Sequence, residues 1–283
     1  MTSTASNLAM RLGTAAVMVP VILGLLYPGP PWAFYLLVLT VALVGTQELF
    51  AMTHPGDGVS QAFGVFAAAA SSVALYFYAE DPRIPLTILV AVPVIGPLFT
   101  LVRLGKIESA ALRACALGFG PLFVAVPLTL LPLMRRELAR PGALGDVGSG
   151  VVLLCLGLSW FADTCAYFAG RFLGRHKLYE AVSPKKTLEG AIGGLLGSVV
   201  FALVGSLWFL RGSLPVAHAV PLAIVAGALG QAGDLAESVL KRSTGIKDSG
   251  GIVPGHGGIL DRVDALLLTT VVVFFYQQWV GFG

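Results

Sequence analysis

Apolar runs about as long as a bilayer is thick, following one another with little between them, leave this chain few ways to fold. Hydrocarbon offers no partner to backbone N–H and C=O groups, so a crossing segment must bond within itself as a helix or join a closed barrel. Unbroken runs of ~20 apolar residues fit the helix. Such runs fall at 12–27, 32–51, 60–79, 84–104, 110–134, 147–170, 188–210, 215–233 and 263–281. The expected fold is therefore all-α, a polytopic integral membrane protein with about nine transmembrane helices. A mean hydropathy of +0.85 over 283 residues excludes an ordinary soluble domain.

The first run follows Arg11, but no small-residue cleavage site ends it, and "YPGPPWAFYLLVL" leads straight into the second. Both read as retained helices. Cys115, Cys155 and Cys165 sit inside apolar runs without metal-type spacing, so they read as small packing residues rather than a disulfide framework. If nine helices alternate sides, thirteen basic residues lie on the side of the N-terminus and five on the other. The positive-inside rule then puts the richer side in the cytoplasm. No repeat or low-complexity tract interrupts the chain. Residues 1–146 read as N-terminal helices and 147–283 as the region that carries the chemistry, within one continuous membrane domain.

In the first half, charges read as interfacial anchors and Trp32 and Tyr35 as aromatic boundary residues. Pro20, Pro93, Pro97, Pro121 and Pro127 predict kinks. Nothing there demands chemistry. The second half holds two long polar segments, Arg171 to Thr187 and Asp234 to Asp264, on one predicted face and separated by one pair of helices.

Asp163 lies within an apolar helix, where a charge costs ~2.5–3.5 kcal/mol on insertion scales, so it needs a partner, a metal or a water-filled cavity. Asp163, Tyr167 and Gly170 share one helical face. After them, "GRFLGRHK" gathers Arg171, Arg175 and Lys177, and "SPKKT" adds Ser183, Lys185, Lys186 and Thr187. Such bases either anchor helix ends to anionic headgroups or receive a phosphate, and the local pattern leaves both open. From Asp234, Glu237, Ser238 and Lys241 follow at helical spacing. That stripe suits a solvent-facing amphipathic helix as well as a polar site. The glycine-rich loop after Arg242 and Lys247 forbids regular helix and ends on "DRVD", where Asp261 and Asp264 share a face. A cap and a dipole partner explain one acid there better than two. Two carboxylates near phosphate-seeking bases are what Mg²⁺ usually asks of a protein. His256 has no second histidine at ligand spacing, so zinc is disfavoured. A P-loop, a G-x-S-x-G elbow and an H-E-x-x-H pair are all absent from the sequence.

The run "SVLKRSTGIKDSGGIVPGHGGILDRVD", Ser238 to Asp264, resembles the signature of the phosphatidate cytidylyltransferases, also called CDP-diacylglycerol synthases. Ser238, Lys241, Arg242, Lys247, Asp248, Pro254, His256, Gly257, Gly258, Asp261, Arg262 and Asp264 fall on its fixed positions. "DTCAYFAGRFLGRHKL" and "SPKKTLEG" resemble further blocks of the same family, so the match covers roughly residues 160–265.

The resemblance implies a membrane enzyme with a cytoplasm-facing cavity that condenses CTP with phosphatidic acid, using Mg²⁺ and with room for a second metal ion. On that basis the catalytic set is Asp234, Lys241, Arg242, Lys247, Asp248, His256, Asp261, Arg262 and Asp264. Substrate binding falls to Asp163, Arg171, Arg175, Lys177, Ser183, Lys185, Lys186, Thr187 and Ser238, and the metal to Asp234, Asp261 and Asp264. Expected partners are CTP, phosphatidic acid and the lipid bilayer of the cell membrane, with no nucleic acid. Gly190, Gly193, Gly194 and Gly197 allow close helix packing within the chain or in a homodimer. A secondary transporter, or a CTP-dependent enzyme acting on an ether-lipid phosphate, is the alternative.

Overall fold

The computed structural model describes residues 4–143, 145–251 and 257–283, the side chains of residues 4–12, 14 and 15 excepted. The described residues form nine α-helices in chain order: α1 Thr4–Leu26, α2 Pro31–Thr53, α3 Gly58–Tyr78, α4 Arg83–Val102, α5 Ala110–Glu137, α6 Val147–Leu173, α7 Leu188–Leu207, α8 Val216–Ser243 and α9 Leu260–Trp279. Each apolar run of the sequence coincides with one of them. Seven, α2 to α8, are long and apolar enough to cross a membrane, while the apolar part of α1 is the shorter Ala16–Leu26. The chain is an all-α, multi-pass membrane protein.

Helix starts follow their local chemistry. Asp57 caps α3, accepting from the Ser60 N–H at 3.2 Å and its hydroxyl at 2.6 Å, and Asp146 caps α6 through Ser149 in the same way. Thr187 caps α7 through the Gly190 N–H at 3.1 Å. Pro31 opens α2, where a missing N–H costs nothing. The prolines at 20, 93, 97, 121 and 127 lie inside α1, α4 and α5, which continue through them.

The helices fall into two compact units, one of Met1–Pro132 with Thr244–Arg262, the other of Leu133–Ser243 with Val263–Gly283. In the first, Tyr35 of α2 stacks on Tyr76 of α3 with centroids 3.9 Å apart, and Phe63 stacks on Phe99 of α4 at 4.0 Å. Ser72 and Thr129 meet at 2.7 Å, which satisfies both hydroxyls in an apolar interior. Arg103 Nη2 reaches Asp57 Oδ1 at 2.9 Å and ties the α2–α3 and α4–α5 connections together at one end.

In the second unit α6 and α7 pack backbone to backbone. A Cβ added at Gly190 would stand 3.0 Å from Ala166 O, at Gly193 2.4 Å from Ala169 Cβ, and at Gly197 2.6 Å from Phe161 O. At Gly194 it would meet Ala162 O and Gln231 Nε2, both at 3.0 Å. All four glycines therefore touch α6, or α6 and α8, of the same chain, and their smallness is accounted for without a second subunit.

Two features differ from the sequence reading. The polar stretch after α6 forms an antiparallel hairpin, β3 Lys177–Tyr179 paired with β4 Ser183–Thr187, where the all-α expectation held no strand; a shorter pair, β1 Pro141–Gly142 and β2 Gly145–Asp146, precedes α6. And α8 carries the apolar run that ends at 233 straight on through the helically spaced stripe to Ser243, with Glu237, Ser238 and Lys241 buried rather than facing solvent.

Candidate active site

The C-terminal half of α6, the β4 strand, the start of α7 and the middle of α8 enclose a cavity of about 380 Å³, within the range of ~300–1,000 Å³ usual for ligand sites. Six residues singled out in the sequence line it: Asp163, Arg171, Lys185, Lys186, Thr187 and Asp234. Tyr167 and Gly170 line it too, so the helical face that carries Asp163 is the wall of the cavity. Thr187 closes on the α6 backbone: a Cβ at Gly170 would lie 3.0 Å from its Oγ1.

Charge in the cavity is arranged in pairs. Lys186 Nζ sits 2.5 Å from Asp234 Oδ2, both side chains about a quarter exposed. Arg171 Nη1 donates to the Tyr167 hydroxyl at 2.8 Å, one turn back along α6, which aims the guanidinium while leaving most of its donors for a ligand. Gln231, which the sequence reading did not single out, lines the cavity beside Asp234 and donates through Nε2 to Ala191 O at 3.1 Å.

Further along α8 the stripe is an interior feature, not a solvent-facing one. Glu237 is fully buried, Ser238 and Lys241 nearly so, and Lys241 Nζ stands 2.5 Å from Glu237 Oε2. Asp264, half-buried on α9, feels the negative charges of Asp234, Glu237 and Asp163. Asp264 thus lies within electrostatic reach of three other carboxylates, while Arg171, Lys185 and Lys186 along the cavity and Lys241 on α8 supply positive charge.

Asp261, one turn before Asp264, is engaged by its own loop. Its Oδ2 accepts from the Ser249 N–H at 3.0 Å, the Ser249 hydroxyl at 2.9 Å and the Gly258 N–H at 2.9 Å. Facing the same loop is Glu48 of α2, only 4% exposed, whose Oε1 accepts from the Ile259 N–H at 3.1 Å and Oε2 from the Leu260 N–H at 2.8 Å. Glycine is required at two consecutive positions where this loop enters α9. Gly257 has φ +80, and a Cβ at Gly258 would fall 2.1 Å from Ser249 Oγ and 2.6 Å from Glu48 Oε2.

Other predicted residues stand apart from the cavity lining. Arg175 is exposed and its N–H donates to Glu189 Oε2 at 3.1 Å; Lys177 donates to Pro184 O; Ser183 opens β4. Arg242 donates through Nε to Val182 O at 3.4 Å, and Lys247, Asp248 and Arg262 are exposed. His256 and Pro254 lie outside the described residues. Among the described residues no three His, Cys, Asp or Glu side chains converge closely enough to hold an ion alone. Asp234, Asp261 and Asp264 are therefore no closed cage.

Glu48 was missed because no chemistry was expected before residue 147. The signal was present: an acid inside a predicted span, judged by the rule that singled out Asp163.

A multi-pass helix bundle holding a cavity lined by bases and carboxylates defines a membrane protein with a charged pocket. The profile of the cytidylyltransferase family matches residues 9–280, nearly the whole chain, and the chain belongs to that family. The phosphatidate cytidylyltransferase of Staphylococcus haemolyticus is 45% identical over 120 residues, 42% of this chain and 46% of that protein. The protein of the same name from Synechocystis sp. is 40% identical over 126 residues, 44% of this chain and 42% of its own length. That from Staphylococcus aureus is 43% identical over 120 residues. The chain thus spans less than half the length of the curated relatives it matches.

Proposed function

We propose that the protein transfers the cytidylyl group of CTP to phosphatidic acid, giving CDP-diacylglycerol and pyrophosphate, at a site open to the cytoplasm of the cell. The observation that carries this reading is the cavity itself, where Arg171, Lys185 and Lys186 stand beside Asp163 and Asp234 in the wall of an apolar helix bundle. A long-chain lipid and a nucleotide need such a meeting place. The relatives' names point the same way.

A lipid phosphate oxygen attacks the α-phosphorus of CTP, a new P–O bond forms, and the bond to the departing pyrophosphate breaks. Such transfers depend on positioning and charge neutralisation more than on covalent chemistry. Lys185, Lys186 and Arg171 hold phosphate oxygens, and Tyr167 fixes the direction of Arg171. No enzyme nucleophile is needed; Ser238 is buried on α8 and serves as a contact.

The residues fit magnesium. Asp234 and Asp264 are hard oxygen donors, the charge of the first felt at the second, and this ion prefers one or two carboxylates completed by phosphate oxygens and water. When bound it supplies charge neutralisation to the triphosphate and the leaving group. Asp261 supports the same helix end through Ser249 and Gly258.

The test is radiolabelled CTP with phosphatidic acid in detergent, with and without a chelator. Labelled CDP-diacylglycerol and released pyrophosphate, both lost on chelation, are the expected result. Passage of either substrate across proteoliposomes without chemical change would overturn it in favour of transport.

A further inference from the structure

Glu48 is the one acid of α2, and it lies 211 and 212 residues from the amides it binds. Those amides, of Ile259 and Leu260, belong to the start of α9, where the first N–H groups of any helix lack intrahelical partners. Asp261 takes the Gly258 N–H. The two carboxylates therefore divide three consecutive amides between them, and Glu48 caps α9 from another helix. The Ser249 hydroxyl joins the pair, 2.9 Å from Asp261 Oδ2 and 3.3 Å from Glu48 Oε2. A hydroxyl has one proton to donate, so only one of the two carboxylates receives it, and the shorter contact favours Asp261. Gly250 and Gly258 both press on the Glu48 carboxylate: a Cβ at Gly250 would fall 2.3 Å from Oε1.

We infer that Glu48 is a positioning residue: it fixes the register and direction of the first turn of α9, and through that turn the carboxylates of Asp261 and Asp264. This rests on the cytidylyltransferase reading of Asp264. Glu48 itself need touch neither substrate. A charged acceptor suits the role because bonds from N–H groups to a carboxylate are the stronger kind, and a helix N-terminus favours negative charge. Its length matters as well, since both oxygens must reach adjacent amides at once.

The experiment compares wild type, Glu48→Gln and Glu48→Asp as full-length protein in detergent. Glu48→Gln keeps the shape but turns an NH₂ toward an N–H donor. Glu48→Asp keeps the charge but draws it back by one methylene. Displacing a reacting group by ~1 Å can cost about 100-fold. In Glu48→Gln we therefore expect kcat per folded molecule to fall about 10- to 100-fold, with KM for phosphatidic acid within about twofold of wild type. Glu48→Asp should recover part of that loss. Hydrogen exchange supplies the second readout: amides of 257–260 should exchange about tenfold faster or more in Glu48→Gln, while those of α6 keep their wild-type rates. Unchanged exchange at 257–260 would overturn the capping role. Faster exchange with unchanged kcat would overturn the link to catalysis. If Glu48→Gln does not fold, Glu48→Asp carries both measurements. A wild-type protein with no turnover of CTP and phosphatidic acid removes the functional reading instead, and the exchange comparison still decides whether Glu48 holds α9.

Discussion

Replacing Lys241 by methionine should remove the ammonium group that stands against a carboxyl group walled off from water. Glu237 is 0% exposed in its side chain, Lys241 10%, and their charged atoms lie 2.5 Å apart one turn along α8. Methionine fills nearly the same volume as lysine, so the perturbation removes a charge and little packing. Breaking a buried ion pair on one side costs about 3–5 kcal/mol, whereas replacing both partners by neutral groups of similar shape is often neutral or stabilising. Lys241→Met should accordingly shift the folded-to-unfolded ratio by a factor on the order of 10² to 10³. The double variant Glu237→Gln with Lys241→Met should regain most of that. The assay is a double-mutant cycle in detergent micelles, with unfolding by added dodecyl sulfate followed by tryptophan fluorescence. Turnover measured on the same four proteins adds a second answer. If Lys241 also holds phosphate, the stabilised double variant remains inactive; if it regains activity, the lysine serves only its buried partner. A Lys241→Met protein within about 0.5 kcal/mol of wild type, the usual effect of a surface change, would refute the burial on which this rests.

Asp264→Asn and Asp234→Asn should each lower CTP-dependent turnover by about 100-fold or more, checked with labelled CTP on proteins whose folding is verified; near-normal rates would remove the metal assignment. His54, buried at the end of α2, is held down to about 4 from its ordinary 6.5 by burial and then by Arg113 nearby, against the opposing pull of Asp57. Its folded value lies below its unfolded one, so the stability it brings is complete above pH 6.5 and is lost as pH falls toward 4. Thermal unfolding of wild type and His54→Gln across that window should show the slope only in wild type. Gly197→Leu places side-chain atoms where a Cβ alone would come within 2.6 Å of Phe161 O, so it should part α6 from α7 and reduce folded yield severalfold by size-exclusion chromatography.

The helices were legible in the sequence because their cause is local: a run of apolar residues announces itself. Starts at Pro31 and Leu188 fell within a residue of expectation for that reason. The helical spacing of Asp234, Glu237, Ser238 and Lys241 was legible too, but their burial was not, since a polar stripe suits a solvent-facing helix until the neighbours that bury it are known. Asp163 was legible as an acid out of place, and its cavity confirms that it has polar company. Glu48 carried the same mark. Its partners, however, are backbone amides of Ile259 and Leu260, which every residue but proline possesses, so nothing in their letters pointed back to it.

The hairpin of β3 and β4 is held on both strands at its open end and again near its bend. One strand is sewn to α7 by His176, whose Nδ1 stands 2.6 Å from Glu189 Oε1, and the other finishes in the cap at Thr187, while Arg242 grips Val182. Its roots are set in α6 and α7, which their glycines let pack backbone to backbone. Under the proposed function, an incoming phosphate group would meet Lys185 and Lys186 on a strand whose footing is already fixed.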